Sequence, residues 1–230
     1  CARVCHSPSL KGMRTTIGEG AATNPFDDIY KTENIVVMGS NTTEAHPIVA
    51  NRMIKAARDK TATLTVIDVR QTQLSKFGDQ LIIPYEANLL VLNMMAYVIL
   101  SEKLYNKEFI DSRCTGFEEY KDLILNDPYA NPEYMKNVSG YEYLTEQIPT
   151  VARLYATKKS MFFWGLGITE HLDGSYAVMA ITHLAMMTGN IGKTGTGLMP
   201  LRGQNNVQGA CDTGCLPYYG PDYSVPEEIG

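Results

Sequence analysis

A thiol and an imidazole stand side by side at Cys5-His6, and two further thiols are spaced as Cys211-x-x-x-Cys215. A thiolate is a soft metal ligand and a nucleophile, and its surroundings decide which role it takes. No second pair in the C-x-x-C form accompanies these cysteines, so neither a zinc site nor an iron–sulfur site is indicated by spacing. Cys211 and Cys215 are read as packing residues. His46, His171 and His183 show no ligand spacing, and His183 lies in an apolar helical stretch, so all three are read as structural.

Three loops carry a second kind of chemistry. Gly39-Ser40-Asn41-Thr42-Thr43-Glu44 precedes a helix, Asp68-Val69-Arg70 ends a strand, and Gly165-Leu166-Gly167 ends another. In open α/β sheets, ligands bind beyond the carboxyl ends of the strands, where backbone amides and helix N-termini meet anionic groups. An acidic residue after the second strand suits ribose hydroxyls or a guanine edge, and Arg70 beside it suits a phosphate. These features suggest a nucleotide, but no G-x-G-x-x-G follows the first strand, so the nicotinamide dinucleotide fingerprint is missing. Taken singly, each loop is equally well an ordinary turn. The stretch Met199-Pro200-Leu201-Arg202-Gly203-Gln204-Asn205-Asn206-Val207-Gln208-Gly209 gathers an arginine, amides and glycines without a core-forming pattern, as the wall of a polar ligand site would.

The elements that must position these residues alternate between strand-like and helix-like runs, the pattern of a parallel sheet covered on both faces. Asn34 to Gly39 is an apolar, β-branched run ending in glycine, Pro47 opens a helix with Val49, Ala50, Met53, Ile54 and Ala57 at helical spacing, and Ala62 to Ile67 is a second strand ending at Asp68. Strands are also expected at Leu81 to Ile83 and Met161 to Gly165. Helices are expected at Leu89 to Glu102, at Lys107 to Asn126 with a break at Gly116, at Tyr143 to Thr157, and at Ser175 to Met187 closing at Gly189. The turn cluster Asp127 to Pro132 is the best internal linker candidate, and everything after Gly189 reads as loop.

Composition narrows the class. The chain has 230 residues with 20 Lys+Arg against 25 Asp+Glu, a net charge of -5, and 44% hydrophobic residues, which excludes disorder, collagen and a disulfide miniprotein. Without a basic stripe, neither nucleic acid nor an anionic membrane is expected as a partner. The longest apolar run, Leu89 to Leu100 interrupted by Asn93, is short of the roughly 20 residues a membrane helix needs, so no direct membrane insertion is expected. With no initiator methionine and no signal pattern, the chain is expected to be an internal fragment of a longer protein. Its five cysteines favour free thiols or metal ligands over a disulfide framework, and with them a reducing compartment.

The motifs Cys1-Ala2-Arg3-Val4-Cys5-His6-Ser7-Pro8-Ser9, Gly39-Ser40-Asn41, Asp68-Val69-Arg70, Trp164 to His171, Thr188 to Gly192 and Arg202 to Asp212 occur in the order seen in molybdopterin oxidoreductases, and the chain most resembles the catalytic (alpha) subunit of formate dehydrogenases over nearly its whole length. The resemblance implies a Rossmann-like, doubly wound, mostly parallel sheet in an αβα sandwich, one domain of a multidomain molybdoenzyme. Residues 1–198 would form the molybdopterin-guanine-dinucleotide-binding domain, and 199–230 an active-site loop and the start of the next domain.

The resemblance also implies oxidation of formate to carbon dioxide at a molybdenum or tungsten centre carried by bis-molybdopterin guanine dinucleotide. A 4Fe-4S cluster would lie in an N-terminal segment outside this chain, and electrons would pass to iron–sulfur or other electron-transfer subunits. Cys5 would be the metal ligand, His6 would handle protons, and Arg202 would orient formate through a two-point hydrogen-bonded grip. Asn41, Glu44, Asp68, Arg70, Gly165, Gly167, Glu170 and Gln204 would contact the cofactor. Glu44, Glu86 and Glu170 stand where relatives often have Asp, Gly and Gln. The expected compartment is cytoplasmic, or periplasmic if an export signal lies upstream. A related nitrate reductase, a cofactor-free electron-transfer scaffold of a respiratory complex, and an unrelated nicotinamide dehydrogenase are the rival readings. Cys5, His6 and Arg202 together speak against the scaffold, and the missing glycine fingerprint speaks against the last.

Overall fold

A computed structural model describes residues 5–138, 140–216 and 219–224. Cys1 to Val4 of the first motif and the last six residues of the expected C-terminal segment lie outside the described residues.

Five parallel strands form one sheet in the order β3-β2-β1-β4-β5: β1 is Asn34–Met38, β2 Thr63–Asp68, β3 Asp79–Ile82, β4 Ser160–Trp164 and β5 Gly197–Pro200. The strands alternate sides residue by residue, as a period of two requires. Val36, Met38, Phe162, Trp164 and Leu198 enter one core; Ile35, Val37, Met161, Phe163 and Met199 enter the other. Both faces are therefore covered, which is why these strands read as continuous apolar runs. The larger core is roofed by α1 (Ser7–Ile17), with helices at Asn88–Ser101, Leu144–Thr157 and Gly174–Thr188; the smaller is roofed by α2 (Pro47–Arg58). The doubly wound αβα architecture is as the sequence indicates.

In chain order the remaining helices longer than one turn are α3 (Asn88–Ser101), α4 (Lys107–Arg113), α5 (Phe117–Asn126), α6 (Leu144–Thr157), α7 (Gly174–Thr188) and α8 (Val207–Asp212), and single turns stand at Thr42–Ala45, Pro132–Met135 and Leu166–Thr169. Gly116 separates α4 from α5 at φ 72°, and Gly189 caps α7 at φ 69°, both in the left-handed region that glycine enters without Cβ cost.

Two expectations need correction. The segment after Gly189 is not all loop: β5 pairs with β4 from Met161 opposite Gly197 to Trp164 opposite Pro200, and α8 follows. Four residues are too few to show a period, and Pro200 is tolerated because β5 is an edge strand. This strand runs through the division expected between residues 198 and 199. The Asp127 to Pro132 cluster is not a linker either: Ala130 is fully buried in the larger core, and its turn packs on α3.

Candidate functional site

The sheet order reverses at β1, whose neighbours β2 and β4 lie on opposite sides, so the crevice beyond the carboxyl ends of β1 and β4 is the topological switch point. Glycines let the two loops there close on each other. Gly39 sits at φ 59°, and a Cβ on it would stand 2.8 Å from the Gly167 carbonyl carbon; one on Gly167 would stand 2.7 Å from the Gly39 Cα. The Gly167 N–H donates to the Gly39 carbonyl at 3.0 Å, and Asn88 at the start of α3 donates to the Gly167 carbonyl at 2.9 Å.

Beyond these glycines lies a cavity of about 380 Å³ whose lining includes Asn41, His46, Asp68, Arg70, Gly165 and Gly167. Five of the eight expected cofactor contacts thus meet in one place. Glu44 and Glu170 are exposed and do not line it, and neither does Gln204, whose side-chain oxygen is buried without a partner. Asp68 ends β2 almost fully buried, and its carboxylate accepts the Arg70 N–H at 3.2 Å. Burial pushes its pKa up, only partly offset by that bond and by the Arg70 charge. Glu86 takes φ 68°, a left-handed conformation that glycine adopts more readily than a residue with a Cβ.

A second cavity, about 400 Å³, is lined by Cys5, His6, Arg14, Arg202, Gln208 and Cys211, among others. Leu201 to Gly203 forms the wall between the two: Arg202 lines the second cavity, while Leu201 and Gly203 line the first. Four hydrogen bonds hold this wall. The Leu201 N–H donates to the Trp164 carbonyl at 2.8 Å and so extends the β4–β5 pairing; the Leu201 carbonyl accepts from His6 Nε2 at 2.6 Å. The Arg202 carbonyl accepts from His46 Nε2 at 2.5 Å, and the Gly203 N–H donates to Cys5 Sγ at 3.1 Å. A backbone donor at the sulfur stabilises negative charge there. The buried Cys5 is itself fixed through its carbonyl, which accepts from Thr169 Oγ1 at 2.6 Å.

A carbonyl can only accept, so His6 carries its proton on Nε2. Its Nδ1 then accepts from Ser9 Oγ at 2.8 Å, and Ser9 Oγ accepts from Trp164 Nε1 at 2.8 Å. Both ring nitrogens are engaged, and burial holds the ring's pKa below its usual value, with the Arg202 charge adding to the effect and the Leu201 bond opposing it. His6 is therefore a neutral ring locked in one tautomer.

Sequence reading missed His46, Ser9 and Thr169. His46 was read as structural for want of ligand spacing, and the partner of its ring lies 156 residues away, where no local spacing marks it. His171 stacks on Tyr85 at the rim of the first cavity, and His183 packs against Tyr120 in a separate cavity. Cys211 is buried and Cys215 exposed, both as free thiols.

A parallel sheet with a glycine-closed crevice at its switch point, and a thiol and an arginine gathered behind it, has the architecture of an α/β ligand-binding domain. The molybdopterin oxidoreductase family model matches residues 1–227, and the chain belongs to that family. The family implies a molybdopterin cofactor. The chain is 42% identical over 230 residues to formate dehydrogenase H of Escherichia coli, covering 99% of this chain and 31% of that protein. It is 43% identical over 231 residues to the F420-dependent formate dehydrogenase subunit alpha of Methanocaldococcus jannaschii, covering 99% and 33%. It therefore spans about a third of the length of these relatives. Acetylene hydratase from Pelobacter acetylenicus matches in fold, with a TM-score of 0.74 at 23% identity over 86% of this chain and 26% of that one.

The residues present fit such a cofactor. The first cavity offers a buried carboxylate, a cationic side chain and close glycine backbone.

Proposed function

We propose that the chain is part of the catalytic subunit of a formate dehydrogenase, oxidising formate to carbon dioxide at a molybdenum or tungsten centre carried by bis-molybdopterin guanine dinucleotide. The observation that carries this reading is the meeting of Cys5 and Arg202 on one cavity, linked by the Gly203 N–H at Cys5 Sγ, with the nucleotide-type crevice on the other side of the same wall. Among the described residues no cluster of three or more His, Cys, Asp or Glu side chains gathers, so Cys5 would contribute one sulfur and the pterin dithiolenes the rest of the metal's ligands.

When bound, the metal centre supplies the acceptor for two electrons, and iron–sulfur clusters in other segments or subunits carry them away. The chain's own residues do the rest. Asn41, Asp68, Arg70, Gly165 and Gly167 hold the nucleotide portion, Asp68 accepting from a guanine or ribose donor and Arg70 meeting phosphate; Glu44, Glu170 and Gln204 remain candidate contacts. Arg202 would grip the formate carboxylate with two parallel N–H donors and so hold the substrate in one orientation in the cavity it shares with Cys5. His6, neutral and held through Ser9 and Leu201, fixes the wall from which Arg202 projects, and releases Nδ1 to take a proton only when the Ser9 bond opens.

No helix among the described residues is long and apolar enough to cross a membrane, and the proposed compartment is the cytoplasm. Cys5→Ser in the full-length protein tests the assignment. It is expected to remove most formate oxidation and one sulfur from the metal's coordination shell; a variant that turns over formate normally would refute it.

A further inference from the structure

His46 is held more rigidly than an ordinary loop residue. It ends the single helical turn Thr42–Ala45 and caps α2, its N–H donating to the Thr42 carbonyl at 2.9 Å and its carbonyl accepting from the Ala50 N–H at 2.9 Å. Pro47 bars it from helical geometry, and it sits at φ -139°, ψ 60°. From this fixed backbone the ring reaches across the crevice to the Arg202 carbonyl, and that 2.5 Å bond is its one polar contact among the described residues, since Nδ1 is unpartnered. Arg202 stands in a short stretch where Leu201 and Gly203 are each bonded through their amides, to Trp164 and to Cys5. The peptide plane following the Arg202 Cα is thus held at both ends, its carbonyl by the His46 ring and its Gly203 N–H by Cys5 Sγ.

We propose that His46 is a positioning residue for substrate binding: by holding the Arg202 carbonyl it sets the direction from which the guanidinium enters the Cys5 cavity. This rests on the formate reading above and assigns within it a residue that touches neither substrate nor metal. Without the ring, that plane keeps only the Gly203 N–H bond to Cys5 Sγ, its carbonyl end can tilt, and the guanidinium samples positions from which it cannot make both hydrogen bonds at once. The loss falls on formate binding more than on the electron-transfer step.

His46→Ala and His46→Gln in the full-length, cofactor-loaded protein test this, because the glutamine side-chain amide can place a donor near the position of Nε2. Two readouts are needed: steady-state formate kinetics with a viologen acceptor, and hydrogen–deuterium exchange of the segment 199–208. His46→Ala is expected to raise KM for formate about tenfold, the equivalent of one lost hydrogen bond of roughly 1.4 kcal/mol. Turnover at saturation and metal content should change little, and the Leu201 and Gly203 amides should exchange faster. His46→Gln should recover most of both effects. Unchanged KM and exchange in His46→Ala, or a raised KM with unchanged exchange, would overturn the proposal, as would a His46→Gln variant no better than His46→Ala. If the wild-type protein fails to oxidise formate, the formate reading falls on its own, while the exchange measurement still decides whether His46 holds the Arg202 segment.

Discussion

At the scale of single residues, the site is a set of groups with one task each. Cys5 is buried, with a backbone N–H at its sulfur; Arg202 is half-buried, with its backbone bonded and its guanidinium on the cavity. Arg202→Ala should therefore lower kcat/KM for formate by about a hundredfold or more, the loss of two charge-assisted hydrogen bonds, while molybdenum or tungsten content stays at the wild-type level. Arg202→Lys should recover little, because an ammonium cannot make the planar two-point contact. Loss of metal in either variant would move Arg202 to cofactor binding. Cys5, His6 and Arg202 were legible in the sequence because they sit in contiguous motifs. The part played by His46 was not, and although Ser9 and Thr169 lie inside quoted motifs, the bonds all three make join residues more than 150 positions apart, which no local pattern reveals.

At the scale of elements, the strand ends and the glycines after them build the crevice. Gly39 and Gly18 both have left-handed backbone, but a Cβ on Gly18 would meet nothing within 4 Å, whereas one on Gly39 would strike the Gly167 backbone. Gly18→Ala should thus cost only the conformational penalty, about 1–2 kcal/mol, and leave cofactor content intact. Gly39→Ala should cost more than that in thermal or denaturant unfolding and should also deplete the cofactor, because the β1 and β4 loops must separate. Equal effects of the two substitutions would deny the crevice its importance. The strands β1, β2 and β4 and the helices α2, α3, α6 and α7 could be read from apolar runs and periodicity. Neither β5 nor α8 could, since a four-residue edge strand bounded by Gly197 and Pro200 and a six-residue helix carry too little pattern.

For the whole molecule, two imidazoles, the buried His6 and the half-buried His183, couple stability to pH. Burial holds the pKa of both His6 and His183 below the usual value near 6.5, so on acidification the unfolded chain binds protons before the folded one does. Their contribution is complete above about pH 6.5 and is lost as pH falls through that value toward the folded pKa values. The melting temperature should accordingly drop between about pH 7.5 and 5.5, and His183→Phe, which keeps a ring against Tyr120, should lessen the drop. A variant as acid-sensitive as the wild type would remove His183 from the account.

The family's chemistry also belongs to this scale, because the chain covers only about a third of its formate dehydrogenase relatives. The proposed cofactor contacts are those of this chain only, and the chain alone is expected to show no formate turnover.

The most direct test is formate-dependent reduction of a viologen dye by the full-length, anaerobically purified protein, with bound metal quantified in the same sample. Turnover with about one molybdenum or tungsten per chain is the predicted result. Stoichiometric metal without any formate-dependent reduction would contradict the assignment of Arg202 and its cavity to formate, and absence of both metals would contradict the assignment of Cys5 as a metal ligand.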